Sequence, residues 1–186
     1  GIAASAVFAG RQSMNNEANF VDVAKNVDFK DANDKANFRR ELNTLSVEMA
    51  GVNDADVMKI AAGGANGGIS RDKLGQYTQD TIKTATAWDM TAEDSARKGV
   101  ALRNSLGYAD GEAGRDQFLN MANMINDVAN KNGGVNGRDL LGVMSRSGAD
   151  LINKGFTESG ALGLSGALLS KGSSEEEAAT ATRGIS

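Results

Sequence analysis

Apolar side chains recur at helical spacing along most of this chain, and that spacing constrains the fold more than any other feature. The clearest stripe is Phe38, Leu42, Leu45 and Met49, at i, i+4, i+7 and i+11. Residues at these intervals lie on one face of a helix. No run of Val, Ile, Tyr, Phe and Thr alternates with polar residues for long enough to predict a strand. The sequence therefore predicts an all-α fold.

Glycine-containing stretches divide the helical segments. The sequence contains 23 glycines and no proline. Gly63–Gly68, Gly107–Gly111 and Asn132–Gly137 are predicted to be breaks, and the four glycines of Gly63–Gly68 are expected to end the preceding helix. We predict a compact bundle of about seven or eight short helices joined by Gly-rich turns. The chain shows no repeat at a fixed period, which disfavours a solenoid.

The stretch Asp72–Leu106 contains the only tryptophan. Two amphipathic segments meet at Trp88–Met90, and Thr91 with Asp94 three residues later has the pattern of a helix start. We expect this junction to lie inside the molecule, with the other helices packed around it. Other helix starts are predicted from capping residues at Asn53 or Asp54, at Ser70, and at Ser174 with Glu177.

The composition disfavours several classes of function. The net charge is −4, whereas an electrostatic surface for nucleic acid needs clustered Lys and Arg. The chain has no cysteine, which excludes disulfides and thiol chemistry. It also has no histidine, the commonest metal ligand and the commonest general base at neutral pH. We predict no specific nucleic-acid binding, no cofactor and no enzymatic activity.

Two loops invite a ligand-binding interpretation, and neither meets the requirements. The Gly63–Gly68 loop is not preceded by a strand and does not end in Gly-Lys-Ser/Thr, as phosphate-binding loops do. A calcium loop beginning at Asn130 would have Gly134 at its fifth position and Leu141 at its twelfth, where oxygen ligands are needed. Both loops are better explained as turns between helices.

Two other patterns are also explained by structure alone. Glu175–Glu177 are consecutive on a helix and point in different directions, so they form no catalytic pair, and the helix dipole explains their position. Gly160, Gly163 and Gly166 lie roughly on one helix face, where close packing within the fold is favoured over association in a membrane. No catalytic, cofactor-binding or metal-binding residue is assigned.

The first residues are predicted to differ from the rest of the chain. The apolar run Ile2–Ala9 is about half the length needed to span a bilayer, and no basic region precedes it. We interpret residues 1–14 as the end of a hydrophobic connector and residues 15–186 as a helical domain. The chain is expected to be a fragment of a longer protein.

Six motifs follow one another in a characteristic order from Phe20 onward. They are Phe20–Phe29, Glu41–Glu48, Ile60–Arg71, Thr86–Glu93, Val143–Gly148 and Gly166–Thr180. In order and spacing they resemble the core region of phage tail tape measure proteins, in the version of contractile-tailed temperate phages. The chain departs from that pattern at Gly67-Gly68, where one glycine is usual, and at Trp88, where phenylalanine is usual.

The resemblance implies a structural virion protein inside the tail tube, present in the host cytoplasm during assembly. Such a protein sets tail length and is released at infection. The implied partners are tail tube and tail tip or baseplate proteins, tail assembly chaperones, other copies of itself and the host membrane during ejection. The alternative hypothesis is a membrane-inserting or pore-forming helical module that assists DNA entry, based on Ile2–Ala9 and Leu162–Leu169. Leakage from liposomes would distinguish the two hypotheses.

Overall fold

A computed structural model describes residues 18–185, and within that range the chain forms nine helices and no strand. This confirms the all-α prediction and is close to the expected number of helices. The predicted connector over 1–14 and the start of the helix expected from Asn15 lie outside the described residues. The helices are α1 (18–24), α2 (Ala32–Glu48), α3 (Asp54–Asn66), α4 (Arg71–Ala87), α5 (Ala92–Leu106), α6 (Glu112–Lys131), α7 (Gly137–Asn153), α8 (Glu158–Ser170) and α9 (Glu175–Arg183).

Local side-chain caps fix several helix starts, as the sequence predicts. Asn53 forms a capping box at the start of α3, and Ser174 forms one with Glu177 at the start of α9. The Thr91 hydroxyl accepts a hydrogen bond from the backbone N–H three residues on, at the start of α5. Ser70 does precede α4, but its hydroxyl donates to Asp72 Oδ1 at 2.8 Å and does not cap the helix backbone.

Helices α2–α9 stack as four hairpins in chain order. The hairpins are α2–α3, α4–α5, α6–α7 and α8–α9. Helices α3, α5, α7 and α9 pack successively in one row, and α2, α4, α6 and α8 pack successively in a second row. Helical repeat proteins are built in this way, each unit contacting its neighbours. The sequence did not predict this order, because the helices vary in length and the hairpins therefore have no fixed period.

The buried apolar side chains form two separate clusters. The first core belongs to α1–α4 and includes Phe38, Leu42 and Ile60. The second core extends from Trp88 through α5–α9 and includes Met121. Burial of apolar surface is the main stabilising contribution in a fold of this kind. Each half of the chain therefore has a hydrophobic core of its own.

The predicted break at Gly63 is wrong. Helix α3 continues through Gly63 and Gly64, and the turn comes later, at Gly68 with φ +86°. The reason is packing, since a Cβ at Gly63 would lie 2.5 Å from Ala96 Cβ on α5. A glycine in a helix costs about 0.5–1 kcal/mol relative to alanine, and here the close approach of α3 to α5 offsets that cost.

Trp88 is buried, as expected, but the junction that contains it is only partly interior. Its indole Nε1 donates to Asn126 Oδ1 at 2.5 Å, and its ring packs against Gly137 at the start of α7. Met90 is half-buried, whereas Asp89 is exposed with φ +51°. Trp88 therefore joins the α4–α5 turn to α6 and α7.

Replacing Gly63 by alanine is expected to lower the free energy of unfolding by about 1–3 kcal/mol, because the new Cβ would overlap a packed neighbour. Gly163→Ala on α8 is a matched control, since Gly163 is also helical and nothing lies within 4 Å of a Cβ there. That change is expected to add about 0.5–1 kcal/mol through helix propensity. Urea unfolding measures both shifts. Shifts of the same sign would contradict the packing role of Gly63.

Candidate functional site

The sequence candidates for ligand binding do not meet in one site. In the α6–α7 loop the Asn132 side chain donates to the Val128 carbonyl, and the Asn136 side chain caps α7 by accepting from the Asp139 backbone N–H. These amides are used at helix ends, which supports the interpretation of the loop as a turn. Within residues 18–185, no group of three or more His, Cys, Asp or Glu is placed to hold a metal ion.

The three glycines of α8 do not share one packing surface. Gly166 is buried, and a Cβ there would lie 2.6 Å from Val128 Cγ1 on α6. Gly160 and Gly163 are exposed. Close packing within the fold is therefore found at Gly166 alone among the three. Across the described part of the chain, each helix is too short or too polar to cross a membrane.

The densest group of buried charges joins α5, α7 and α9. Lys98 on α5 forms an ion pair with Glu175 on α9, and these side chains are 7% and 12% exposed. Lys98 Nζ also donates to the Arg138 carbonyl at the start of α7, at 3.4 Å. Arg146 on α7 contacts Glu175 Oε1 at 3.0 Å and Glu176 Oε1 at 3.1 Å. One carboxylate thus connects cations from two other helices.

The three consecutive glutamates have different roles, which the sequence alone did not reveal. Glu177 forms the capping box, and the hydrogen bond from the Ser174 backbone N–H lowers its pKa. Glu175 instead lies against α7, where a Cβ at Gly142 would overlap its carboxylate. Lys98 was missed altogether. Its position four residues before the buried Leu102 places both side chains on one face of α5, and that spacing is the signal that indicates its burial.

A second ion pair, with a buried carboxylate and a partly exposed arginine, joins α4 to α6. The Asp80 side chain is 4% exposed and accepts two hydrogen bonds from Arg115, at 2.6 Å from Nε and 3.3 Å from Nη2. Gln76 donates to the same carboxylate at 3.2 Å. A bidentate arginine–carboxylate pair fixes the relative position of two helices better than a single contact does.

Arg103 is buried near this pair, and no carboxylate of residues 18–185 forms an ion pair with it. Its Nη2 donates to the Ala109 carbonyl at 3.0 Å and its Nη1 donates to the Gly114 carbonyl at 3.4 Å. The guanidinium carbon lies 5.7 Å from the Tyr77 ring centre and 6.0 Å from the Phe118 ring centre. Burial lowers the pKa of Arg103. The side chain therefore joins α5 to the α5–α6 loop and to α6 through carbonyl groups, and it lies near aromatic rings of α4 and α6.

A cavity of about 300 Å³ adjoins Arg103 between α4 and the start of α6. Its charged lining residues are Asp72, Asp80, Asp110, Glu112, Lys73, Arg103 and Arg115. Because charges of both signs are mixed within it, the cavity favours neither a phosphate group nor a metal ion. Lys98 and Asp80 have their counter-ions in contact, so neither is a free base or nucleophile. The geometry supports a role in joining helices.

Comparison with known proteins identifies a family. The model of a family described as "phage-related minor tail protein" matches residues 39–186, about four fifths of the chain. The matched range contains α3–α9 and most of α2, and therefore both buried charge groups. Searches of curated proteins and of solved structures give no match to this chain.

Glu175→Gln is expected to destabilise the fold by about 3–5 kcal/mol, because it leaves the buried Lys98 without its anion. Glu176→Gln is the matched control, since Glu176 also contacts Arg146 but is 65% exposed. The control should change stability by less than about 1 kcal/mol, as exposed ion pairs contribute little. Thermal and urea unfolding of the two variants give the comparison, and equal destabilisation would contradict the structural role of Glu175.

Burial raises the pKa of Tyr77 to about 12, from an ordinary value of 10.0. Between these values the unfolded chain loses the phenol proton while the folded chain keeps it, so this contribution to stability is complete below pH 10 and is lost as the pH rises through about 12. The Tyr77→Phe variant should therefore lose less stability than the original chain as the pH rises from 10 to 12. Urea midpoints at several alkaline pH values, for the original chain and the variant, test this. An unchanged pH dependence would contradict the burial of the Tyr77 hydroxyl.

Proposed function

Because the chain belongs to the family of phage-related minor tail proteins, we propose that it is a folded helical part of a tape measure protein. In this role it sets the length of a phage tail during assembly and is released at infection. The family match over residues 39–186 is the observation that carries the proposal. The order of motifs from Phe20 onward supports the more specific tape measure assignment. The ion pairs that join helices support a structural role, not a catalytic one.

The helical fold gives the same residues two very different lengths. A helix rises about 1.5 Å per residue, so helices joined end to end would span a distance proportional to the number of residues. In the described fold the helices are stacked side by side, and the longest, α6, has 20 residues, which corresponds to about 30 Å. The chain can therefore contribute to tail length in a short stacked form or in a long extended form.

We place the protein inside the tail tube in the virion, and in the host cytoplasm during assembly. Its partners are tube proteins, tail tip or baseplate proteins, assembly chaperones and further copies of itself, with the host membrane as a contact during ejection. The surface supports polar contacts with these partners. Among the described residues, the large apolar side chains that are exposed are Val21 and Val47. Permanent interfaces are more hydrophobic than transient ones, so a surface without a large apolar patch suits a protein that must leave the tube.

Tail length measured by electron microscopy tests the proposal. Particles are prepared from a parent gene with an in-frame deletion of residues 32–183, which span α2–α9. The stacked form predicts tails shorter by a few tens of ångströms, the size of a folded domain. An extended helical form predicts shortening by roughly 225 Å. Tails of unchanged length would contradict a tape measure role.

A full-length variant separates the effect of chain length from the effect of fold stability. Glu175→Gln keeps every residue but weakens the contact of α9 with α5. If tail length depends on the number of residues, particles with this variant should have tails of the original length. Shortening by Glu175→Gln as large as that of the deletion would show that folding, and not residue number, determines the outcome.

A further inference from the structure

The two hydrophobic cores meet at a layer of small and polar side chains. We call this layer the α5 seam, and it consists of the contacts of α3 and α4 with α5 and the start of α6. Gly63 lies against Ala96, and Gly67 lies against Val100. A Cβ at Gly99 would lie 3.3 Å from the Tyr77 hydroxyl and 3.9 Å from Thr81 Cγ2. The largest apolar side chains of the two cores lie on either side of this layer.

Two polar links cross the seam. They are the Asp80–Arg115 ion pair and a hydrogen bond of 3.2 Å from the Ser70 backbone N–H to Asp110 Oδ2. Both join α4, or the residue before it, to the region around the start of α6. The groups on each side of these links have water as an alternative partner once the helices part.

Helix α5 itself is held by the second half of the chain. Leu102 belongs to the second core, and Lys98 is paired with Glu175 on α9. Arg103 donates to carbonyl groups of the α5–α6 loop and of α6. The face of α5 toward α3 and α4 also packs against the first core, through the smaller side chains of Ala92 and Val100. A separation there would expose these two side chains, part the Arg103 guanidinium from the Tyr77 ring, and leave α5 with α6–α9.

The energetics favour separation at the seam over disruption of either core. Exposing a fully buried large apolar side chain costs about 1.5–3 kcal/mol, and each core contains many of them. Small side chains bury less area. The Asp80–Arg115 ion pair is partly exposed at Arg115, and such a pair contributes little net stability because its charges regain hydration when they separate. Local opening proceeds through the regions of lowest free energy, in cooperative units.

We propose that the domain opens reversibly at the α5 seam into two halves that remain folded, residues 18–87 and 88–185. The halves stay connected through the turn Trp88–Thr91. The radius of gyration of a folded domain scales with its number of residues. On this scale the closed domain has a radius of gyration of roughly 15 Å, and each separated half has one of roughly 11–13 Å. This inference concerns the fold alone and does not depend on the proposed role in the tail.

Native-state thiol labelling tests the proposal, because the chain has no cysteine of its own. Thr81→Cys places a thiol in the seam at a residue that is 1% exposed. Ser165→Cys is the matched control, within the second half at a residue that is fully buried. Labelling by a disulfide reagent is followed at urea concentrations below the unfolding midpoint. The seam thiol should react at least ~10-fold faster and with a weaker dependence on urea, since the opening exposes little surface.

Two further measurements make the outcome decisive. Circular dichroism and global unfolding of each variant establish that both fold, and labelling rates are compared relative to each global free energy of unfolding. Adding Arg115→Ala removes the ion pair across the seam and should accelerate labelling of the Thr81→Cys variant. In the Ser165→Cys variant the same substitution should leave the labelling rate unchanged, once the rate is corrected for any change in the global free energy of unfolding. Equal relative rates with equal urea dependence at both positions would overturn the proposal, because the domain would then open only as one cooperative unit.

Discussion

The fold depends on how the buried charges of α5 are satisfied. This helix contacts α3, α4 and α7, yet its buried side chains include Lys98 and Arg103, and Leu102 is its one large apolar side chain that is almost fully buried. A buried cation without a partner would be costly. Glu175 must therefore reach Lys98 from α9, and the carbonyl groups of Ala109 and Gly114 must face Arg103. These requirements place the last helix and the start of α6.

Local features of the fold could be predicted from sequence, and long-range features could not. The stripe of Phe38, Leu42 and Leu45 and the caps at Asn53 and Ser174 depend on residues within one or two helical turns, and these are found in the structure. Met49, the fourth residue of the predicted stripe, instead follows the end of α2 and is half-buried. The partner of Lys98 is 77 positions away, and no local pattern distinguishes Glu175 from its neighbours. The fold class could therefore be predicted from the sequence, whereas the ion pairs that hold the helices together could not.

The glycines also show that local sequence does not predict contacts between helices. Helix propensity alone places a break at Gly63, because glycine is a poor helix former. The structure uses the missing side chain to bring α3 against α5, at a position where alanine would not fit. At Gly163 the same residue type meets no neighbour. Whether a glycine ends a helix or permits close packing depends on a second helix, which the sequence does not specify locally.

The ion pair between Lys98 and Glu175 also makes the two ends of the hairpin stack mechanically unequal. Most contacts in the stack join neighbouring helices, so a pull on one end detaches one unit at a time. At the C-terminal end, α9 is additionally attached to α5, beyond its neighbour α7. Tension applied through α9 must break this attachment first, whereas tension applied through α1 first meets the packing of Phe20 and Val23 in the first core. The stack therefore has a mechanical polarity, and the direction of pulling determines which half unravels first.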